Sequence, residues 1–284
     1  MNTSGYAHRR VAILLDVGNT RIKAGWSCLD TTERETVPLA IPHSQTDRLV
    51  TWLDEQGVLA VRALGTNVAG VDTATRIQQA LSCAQCPPAQ WLSGMDYASE
   101  LNVVNNYQEP EKLGADRWAA MLGLAAHAED HTTPLLLASF GTATTVDVLC
   151  PTPSGWQFAG GLILPGAELM RQALATQTAD LPSAHGTVVD FPRDTHQAII
   201  SGITAAQAGA VARQWQATLR QFRLAPIVFC TGGNWLLVAD EVQTQLQTLQ
   251  TQHGLQRPPA RTLVAPVLDG LARVAQLARV RARD

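Results

Sequence analysis

Apolar runs that end in turn residues mark the first strands of this chain. Residues 11–15 are all apolar, and the run ends at the carboxylate of Asp16 and the turn pair Gly18 and Asn19. After the turn, residues 22–26 alternate between apolar and polar or small side chains, the period of a half-buried strand. The pattern predicts a buried strand, a tight turn and a second strand. Such a turn, with Lys23 nearby, offers N–H groups to a phosphate, and it equally suits an ordinary β-hairpin.

A second copy of this pattern occurs over residues 135–149, where an apolar run is followed by glycine, several hydroxyls and an alternating strand. Aligning the two copies sets Gly18 on Gly141, Asn19 on Thr142 and Asp16 on Ser139. Two such units suggest two related halves that each give one loop to the same nucleotide. The chain has neither G-x-x-x-x-G-K-[ST] nor G-x-G-x-x-G after its first strand. The paired loops therefore favour an ATPase of the actin, hexokinase and Hsp70 type.

The rest of the pattern alternates helices with strands, as in an α/β sheet protein. It predicts helices over residues 46–57, 72–81, 115–127, 166–181, 198–219, 242–256 and 268–280, and further strands over residues 58–64, 156–165 and 227–230. Residues 83–93 are expected to be a connection and residues 182–195 a loop. The arginines of the last helix, Arg273, Arg279, Arg281 and Arg283, are predicted to form a solvated face.

Composition and charge narrow the function classes. The chain has 284 residues, of which 46% are hydrophobic and 16% charged, so it is expected to be globular rather than disordered. Its formal net charge of −3 gives no general attraction to nucleic acid or to an anionic membrane. No apolar run reaches the length of a membrane span, and a cytoplasmic location is expected.

The cysteines fit a reducing compartment. Cys28, Cys150 and Cys230 lie in or beside apolar strand-like runs, where a free cysteine behaves as a small hydrophobic residue. Cys83 and Cys86 have C-x-x-C spacing, but no second cysteine pair or histidine cluster accompanies them. No metal is assigned to that pair.

Three further segments carry candidate chemistry with open alternatives. Asp116 falls in the first turn of the helix predicted at 115–127, where the helix dipole favours a carboxylate in any protein. Thr195 precedes a helix and is a candidate cap. The glycines of residues 231–234 would let the backbone approach a flat base or ribose, or they make a plain turn.

Taken together, these motifs resemble those of the type III pantothenate kinases, a family also named for the Bvg accessory factor. The resemblance rests on D-V-G-N-T at 16–20, N-Y-x-x-P-x-x-L-G-A-D-R at 106–117, G-T-A-T-T-V-D at 141–147, A-G-G-L-I-L-P-G at 159–166, D-T-H-Q-A-I-I-S-G at 194–202 and T-G-G at 231–233. D-x-G-N-T alone is a weak signal, whereas its combination with L-G-A-D-R and G-T-A-T-T is specific. The motifs span nearly the whole chain in the expected order.

The resemblance implies a duplicated α/β fold of the acetate and sugar kinase/Hsp70/actin type and a homodimer. It implies that ATP phosphorylates pantothenate to 4′-phosphopantothenate, the first step towards coenzyme A. Residues 1–128 would carry the first phosphate loop and the substrate loop, and residues 129–284 the second phosphate loop and the adenosine region. A divalent metal ion with ATP, and potassium or ammonium as a monovalent cation, are also implied.

The family pattern also assigns residue roles. It places ATP phosphates at Asp16, Val17, Gly18, Asn19, Thr20, Arg21, Ile22, Lys23 and Thr142, and pantothenate at Tyr107, Gly114, Ala115, Asp116, Arg117 and Thr195. Asp116 would accept the proton of the substrate hydroxyl, and Asp16 would hold the divalent ion. Arg117 could keep Asp116 ionised or pair with the substrate carboxylate, and the sequence leaves both open.

One position departs from the family pattern. The residue before x-G-T-A is commonly an aspartate associated with the monovalent cation, and here it is Ser139. This exchange predicts weak monovalent-cation binding or no cation requirement. The rival function is a regulatory accessory protein on a kinase-like fold with little or no catalysis. The presence of Asp16, Asp116 and Arg117 favours the active kinase.

Overall fold

The computed structural model describes the backbone of residues 9–281 and the side chains of residues 9–277. Its strands are β1 Arg10–Val17, β2 Arg21–Cys28, β3 Leu39–Pro42, β4 Leu59–Asn67, β5 Ala89–Trp91, β6 Val103–Asn105, β7 Leu135–Phe140, β8 Ala143–Thr152, β9 Gly155–Pro165, β10 Ile227–Thr231 and β11 Arg261–Thr262. Its α-helices are α1 Asp47–Gln56, α2 Val71–Cys83, α3 Ala115–Leu124, α4 Ala167–Gln177, α5 Thr195–Phe222, α6 Trp235–Gln252 and α7 Pro266–Arg281. None of these helices has the length and apolarity needed to cross a membrane.

The described chain forms two compact units. Unit 1 contains the described residues up to His127, the segment Ser154–Gln157 and the described residues from Ala265 onwards. Unit 2 contains Ala128–Pro153 and Phe158–Val264. The last helix, α7, thus belongs to the unit that also contains the first strands.

The sheet of unit 1 has the order β3-β2-β1-β4-β5. β1 pairs antiparallel with β2 and parallel with β4. The first pair is joined by a tight hairpin turn, and the second by a crossover connection that contains a helix. Its core side chains, such as Ile13, Trp26 and Ile77, come from β1, β2 and α2. α3 and α7 pack closely at Gly123 and Gly270, where a side chain on either would meet the other helix's backbone.

The second sheet repeats this topology. Its strands run β11-β10-β7-β8-β9, with β7 antiparallel to β8 and parallel to β10. β6 follows β9 in the strand order, and the first residues of β9 belong to unit 1, as β6 does. The order matches that of unit 1 strand for strand, which confirms the duplicated α/β fold expected from the two strand–turn–strand copies. The core of unit 2 includes Phe140, Trp215 and Trp235.

Several sequence expectations are corrected at element level. The connection predicted at 83–93 contains β5, a strand too short for periodicity to reveal; the amide of Gln78 holds its Ala89 through two hydrogen bonds of 3.0 Å. The helix predicted to end at 181 ends at Gln177, and the helix predicted from 242 begins at Trp235.

One side-chain expectation on α7 is also wrong. Arg273 is not part of a solvated face, because its Nη1 donates to the backbone oxygen of Leu122 on α3 at 2.5 Å. The resulting burial lowers the pKa of the Arg273 guanidinium. The side chains of Arg279, Arg281 and Arg283 lie outside the described residues. Cys28, Cys150 and Cys230 are buried, as the apolar pattern predicted.

Candidate functional site

The first candidate phosphate loop is the turn between β1 and β2. The amide of Gly18 donates to the oxygen of Arg21 at 3.1 Å and closes the turn, which leaves Asn19 and Thr20 exposed at its tip. A Cβ added to Gly18 would make only an ordinary contact of 3.5 Å with Arg21. The protein itself therefore does not require glycine here.

Asp16 is the last residue but one of β1, two positions before Gly18, and is 8% exposed. Its cross-strand partner is Lys23, whose Nζ lies 3.4 Å from Asp16 Oδ2. Burial raises the pKa of Asp16 above its ordinary value, the charge of Lys23 offsets part of that rise, and the charge of Asp116 adds to it. Unit 1 thus brings the two predicted carboxylates, Asp16 and Asp116, within electrostatic reach of each other.

Among the other residues of this loop that the sequence assigned to ATP, some side chains are buried and others are exposed. Val17 and Ile22 are fully buried in the core of unit 1, so only their backbone can face a nucleotide. Arg21 is exposed and Lys23 is half-buried. Thr66, beside Asp16 on β4, is a buried hydroxyl that no sequence signal indicated.

Asp116 stands at the start of α3, where its Oδ1 accepts the amide of Arg117 at 2.8 Å. It is half-buried, and Gly114 at the N-cap leaves room for it, because a Cβ there would lie 2.7 Å from Asp116 Oδ1. Ala115 opens the helix between them. The carboxylate is therefore fixed by helix-start geometry and still partly open to solvent, which suits a proton acceptor.

Arg117 is 8% exposed, and its guanidinium carbon lies 5.9 Å from the ring centroid of Tyr107. This is cation–π geometry, and it brings together two residues that the sequence assigned to pantothenate. Tyr107 is in turn held by Asn105, whose Oδ1 accepts the Tyr107 amide at 3.0 Å. Asn105 also donates to the oxygens of Gly94 and Pro110, at 2.7 and 3.3 Å, so it shapes the whole loop before α3.

The second candidate phosphate loop lies in unit 2 between β7 and β8. The amide of Gly141 donates to the oxygen of Ala143, two residues on, at 3.1 Å, so this turn is one residue tighter than the turn that Gly18 closes with Arg21. The amide of Gly166 donates to the oxygen of Thr142 at 2.9 Å, and a side chain at Gly166 would collide with the loop backbone. The last glycine of A-G-G-L-I-L-P-G is thus explained by packing against this loop.

Thr195 is placed differently from its sequence expectation as a cap. It is the first residue of α5 and is exposed, and the cap is Asp194, whose Oδ1 accepts the amide of Gln197 at 2.9 Å. An aspartate fills this role readily because its carboxylate also favours the positive end of the helix dipole. Thr195 is one of the residues that line an open cavity of about 1060 Å³ between α4 and α5.

The acidic side chains could hold a divalent ion only together with ligands from the substrate. No group of three or more acidic, histidine or cysteine side chains within residues 9–277 could hold a metal ion by itself. Magnesium commonly binds through one or two carboxylates together with substrate phosphates, and Asp16 at the phosphate turn fits that pattern. Ser139, half-buried on β7 opposite Thr145 and Thr231, offers a neutral hydroxyl at the position that aligns with the Asp16 carboxylate of the first copy.

Comparisons with known proteins agree with this geometry. The family model described as type III pantothenate kinase matches residues 12–217. The type III pantothenate kinase of Bordetella pertussis (strain Tohama I) is 45% identical over 265 residues, covering 93% of this chain and 97% of that protein.

Two solved structures share the fold at low identity. A Campylobacter jejuni protein named as a Baf family transcriptional activator gives a TM-score of 0.52 at 15% identity, covering 96% of this chain and 100% of the other. The glucokinase of Balamuthia mandrillaris in complex with glucose gives 0.51 at 10% identity, covering 96% of each chain. These likenesses show the actin-like ATPase fold alone. The family match and the Bordetella relative show that this chain belongs to the type III pantothenate kinase family.

Proposed function

We propose that this chain transfers the γ-phosphoryl group of ATP to the hydroxyl of pantothenate, giving 4′-phosphopantothenate on the route to coenzyme A. The observation that carries the proposal is the pair Asp16 and Asp116, two carboxylates in electrostatic reach of each other, of which Asp16 lies two residues before the glycine of a phosphate-type turn. Family membership supports the reaction, and the residue roles are our assignment.

ATP phosphates are assigned to the backbone of residues 16–23, to the side chains of Asn19, Thr20, Arg21 and Lys23, and to Thr142. A turn between two strands, with no helix after it, can still present several backbone N–H groups to an anion. Phosphoryl transfer needs mainly positioning and charge neutralisation, which backbone amides and a lysine supply. A divalent ion held by Asp16 would neutralise phosphate charge when bound.

Pantothenate is assigned to Tyr107, the segment of residues 114–117, and Thr195. Asp116 accepts the proton of the substrate hydroxyl as the phosphoryl group arrives, because a carboxylate within hydrogen-bond reach can act as general base. Arg117 stacks on Tyr107 and lies beside Asp116, so it is suited to the carboxylate of pantothenate. The cytoplasm, where ATP is available, remains the proposed location.

A homodimer is proposed from the surface of unit 2. α4 has no buried residue, although it carries Leu169, Met170 and Leu174 towards α5. An amphipathic helix normally buries its apolar face, and here that face lines an open cavity. Ile163 and Phe191 are also 62% and 87% exposed. A second copy of this chain is the proposed cover.

The test is a coupled ATP assay of the pure protein with pantothenate and a panel of other small alcohols. We expect turnover with pantothenate and little with the panel. Comparable turnover with another alcohol would reassign the substrate. An absence of ATP-dependent turnover with folded protein would instead support the regulatory accessory role.

A further inference from the structure

Both candidate phosphate loops share a contact that sequence comparison of the two halves does not reveal. In unit 1 the backbone oxygen of Gly18 lies 2.8 Å from Nε2 of His43. In unit 2 the backbone oxygen of Gly141, the aligned glycine, accepts from Nδ2 of Asn234 at 3.2 Å. In each unit, a side chain from a separate segment therefore holds the carbonyl of the loop glycine.

The geometry fixes the role of the His43 ring. A carbonyl oxygen only accepts, so Nε2 carries the hydrogen and Nδ1 is the bare nitrogen of a neutral ring. Nδ1 is buried and has no hydrogen-bond partner among the described residues. A second proton there would be buried without an acceptor, which favours the neutral Nε2–H tautomer as a donor to Gly18.

His43 is placed by the strand pairing and held from behind. Arg21, the first residue of β2, pairs with Pro42, the last residue of β3, so the next residue falls beside the turn. The backbone oxygen of His43 accepts from Oγ1 of Thr46 at 2.9 Å and from Nη1 of Arg76 at 3.3 Å. The donor is thus braced by α2 and by the start of α1.

Asn234 is braced in a similar way. The backbone N–H of Asn234 donates to the backbone oxygen of Phe140 at 3.0 Å, and Gly232, two residues earlier, has a φ of +104°. A side chain at Gly232 would collide with the backbone of Phe140, so glycine permits the close approach. Asn234 is the N-cap residue of α6, but its side chain makes no capping hydrogen bond to that helix. The side-chain amide donates instead to the backbone oxygen of Gly141.

The consequence follows from the planarity of the peptide bond. The carbonyl of Gly18 and the N–H of Asn19 belong to one peptide plane and point in opposite directions. Holding the carbonyl towards His43 therefore turns the Asn19 N–H to the other side of the turn, where Asn19 is exposed. This N–H has no hydrogen-bond partner within the described residues. The carbonyl of Gly141, held by Asn234, fixes the orientation of the peptide plane between Gly141 and Thr142 by the same geometry.

We propose that His43 and Asn234 are matched positioning residues that preorient the N–H groups of Asn19 and Thr142 towards the phosphates of the nucleotide. The inference rests on the proposed function, because it assumes that these two loops bind ATP. Neither residue is assigned contact with substrate. Without its anchor, each peptide can rotate and must be ordered again when the nucleotide binds.

The experiment measures binding of a non-hydrolysable ATP analogue with magnesium, binding of pantothenate, and thermal midpoint. His43→Ala and Asn234→Ala remove the donors without adding a charge, whereas His43→Gln keeps an N–H near the place of Nε2. Ser44→Ala, an exposed neighbour of His43, is the control. Loss of one neutral hydrogen bond predicts analogue binding weaker by roughly three- to tenfold in each donor-less variant. His43→Gln should stay within about twofold of the natural protein, and pantothenate binding should not change.

The outcomes separate the inference from the proposed function. If His43→Ala and Asn234→Ala both bind the analogue as tightly as the natural protein does, the positioning role is overturned and the kinase function still stands. His43→Gln as weak as His43→Ala also overturns it, since donation would not matter. A natural protein that binds no analogue overturns the proposed function and the inference with it. Nitrogen NMR showing the Nδ1–H tautomer of His43 would contradict the geometry.

Discussion

Asp16 illustrates a conflict between stability and function at the residue scale. Because burial raises its pKa above the ordinary value of 3.8, the folded protein binds the Asp16 proton more tightly than the unfolded chain. Stability therefore falls as pH rises from about 3.8 through the folded pKa, and the cost of the buried charge persists at neutral pH. Asp16→Asn should raise the thermal midpoint at pH 7 while weakening ATP use, with the gain shrinking towards pH 4. A midpoint that falls at pH 7 would show that the pair with Lys23 outweighs burial.

Asp116 offers a prediction in which the fold is unaffected. Asp116→Asn keeps the shape of the side chain and its acceptor oxygen for the Arg117 amide, but it removes the base. Turnover should fall by about 10² or more, with an unchanged thermal midpoint and pantothenate affinity. If turnover stayed near normal, Asp116 would be only a helix-start residue.

Ser139 predicts a change in cation dependence. A hydroxyl in place of a carboxylate loses a charge attraction of about 1–4 kcal/mol at contact, depending on the local dielectric. The natural protein should need high potassium or none, and Ser139→Asp should lower the half-saturating potassium concentration. The measurement is activity against potassium concentration, with potassium binding by the isolated protein as an independent readout. Saturation at low potassium in the natural protein, unchanged by Ser139→Asp, would refute the charge explanation.

At the scale of elements, the turn at Gly18 allows the requirements of folding and of phosphate binding to be tested separately. A Cβ at Gly18 would make only an ordinary contact of 3.5 Å with the Arg21 oxygen, and the backbone has no positive φ there, so Gly18→Val should fold with a near-normal thermal midpoint. The same branched side chain would block a phosphate from the turn and reduce ATP use more than pantothenate binding. Gly166→Val is the contrasting variant, because its side chain would collide with the second loop and should destabilise the protein. Normal ATP kinetics in Gly18→Val would refute the phosphate role of the turn.

The sequence predicted an element well where the contacts that fix it repeat along the chain, and poorly where they join residues far apart in the sequence. Periodicity located β1, β2 and the helices, because each buries one face that repeats along the chain. It missed β5, which the side chain of Gln78 anchors, and it wrongly placed Arg273 in solvent, because packing against Leu122 depends on a distant segment. His43 and Asn234 were missed for the same reason: strand pairing and a loop approach bring them to the glycine carbonyls. A pattern along the chain contains none of these long-range contacts.

The whole molecule consists of two units with the same strand order, each with a glycine turn between its first two strands. Duplication therefore explains why site residues occur in both halves of the sequence. Asp16, Asp116 and Arg117 lie in unit 1, and Thr142, Ser139 and Thr195 lie in unit 2. The roles assigned to these residues remain predictions.

The last prediction concerns assembly. The apolar cavity between α4 and α5, which Thr195 helps to line, predicts a stable dimer that covers this surface. Leu169→Glu places a charge on the cavity wall and should shift the protein to monomer by sedimentation at micromolar concentration, with weaker pantothenate binding. Leu224→Glu, at an exposed leucine after α5, is the matched control and should leave the dimer intact. Natural protein that sediments as a monomer while fully active would show that the cavity needs no second copy.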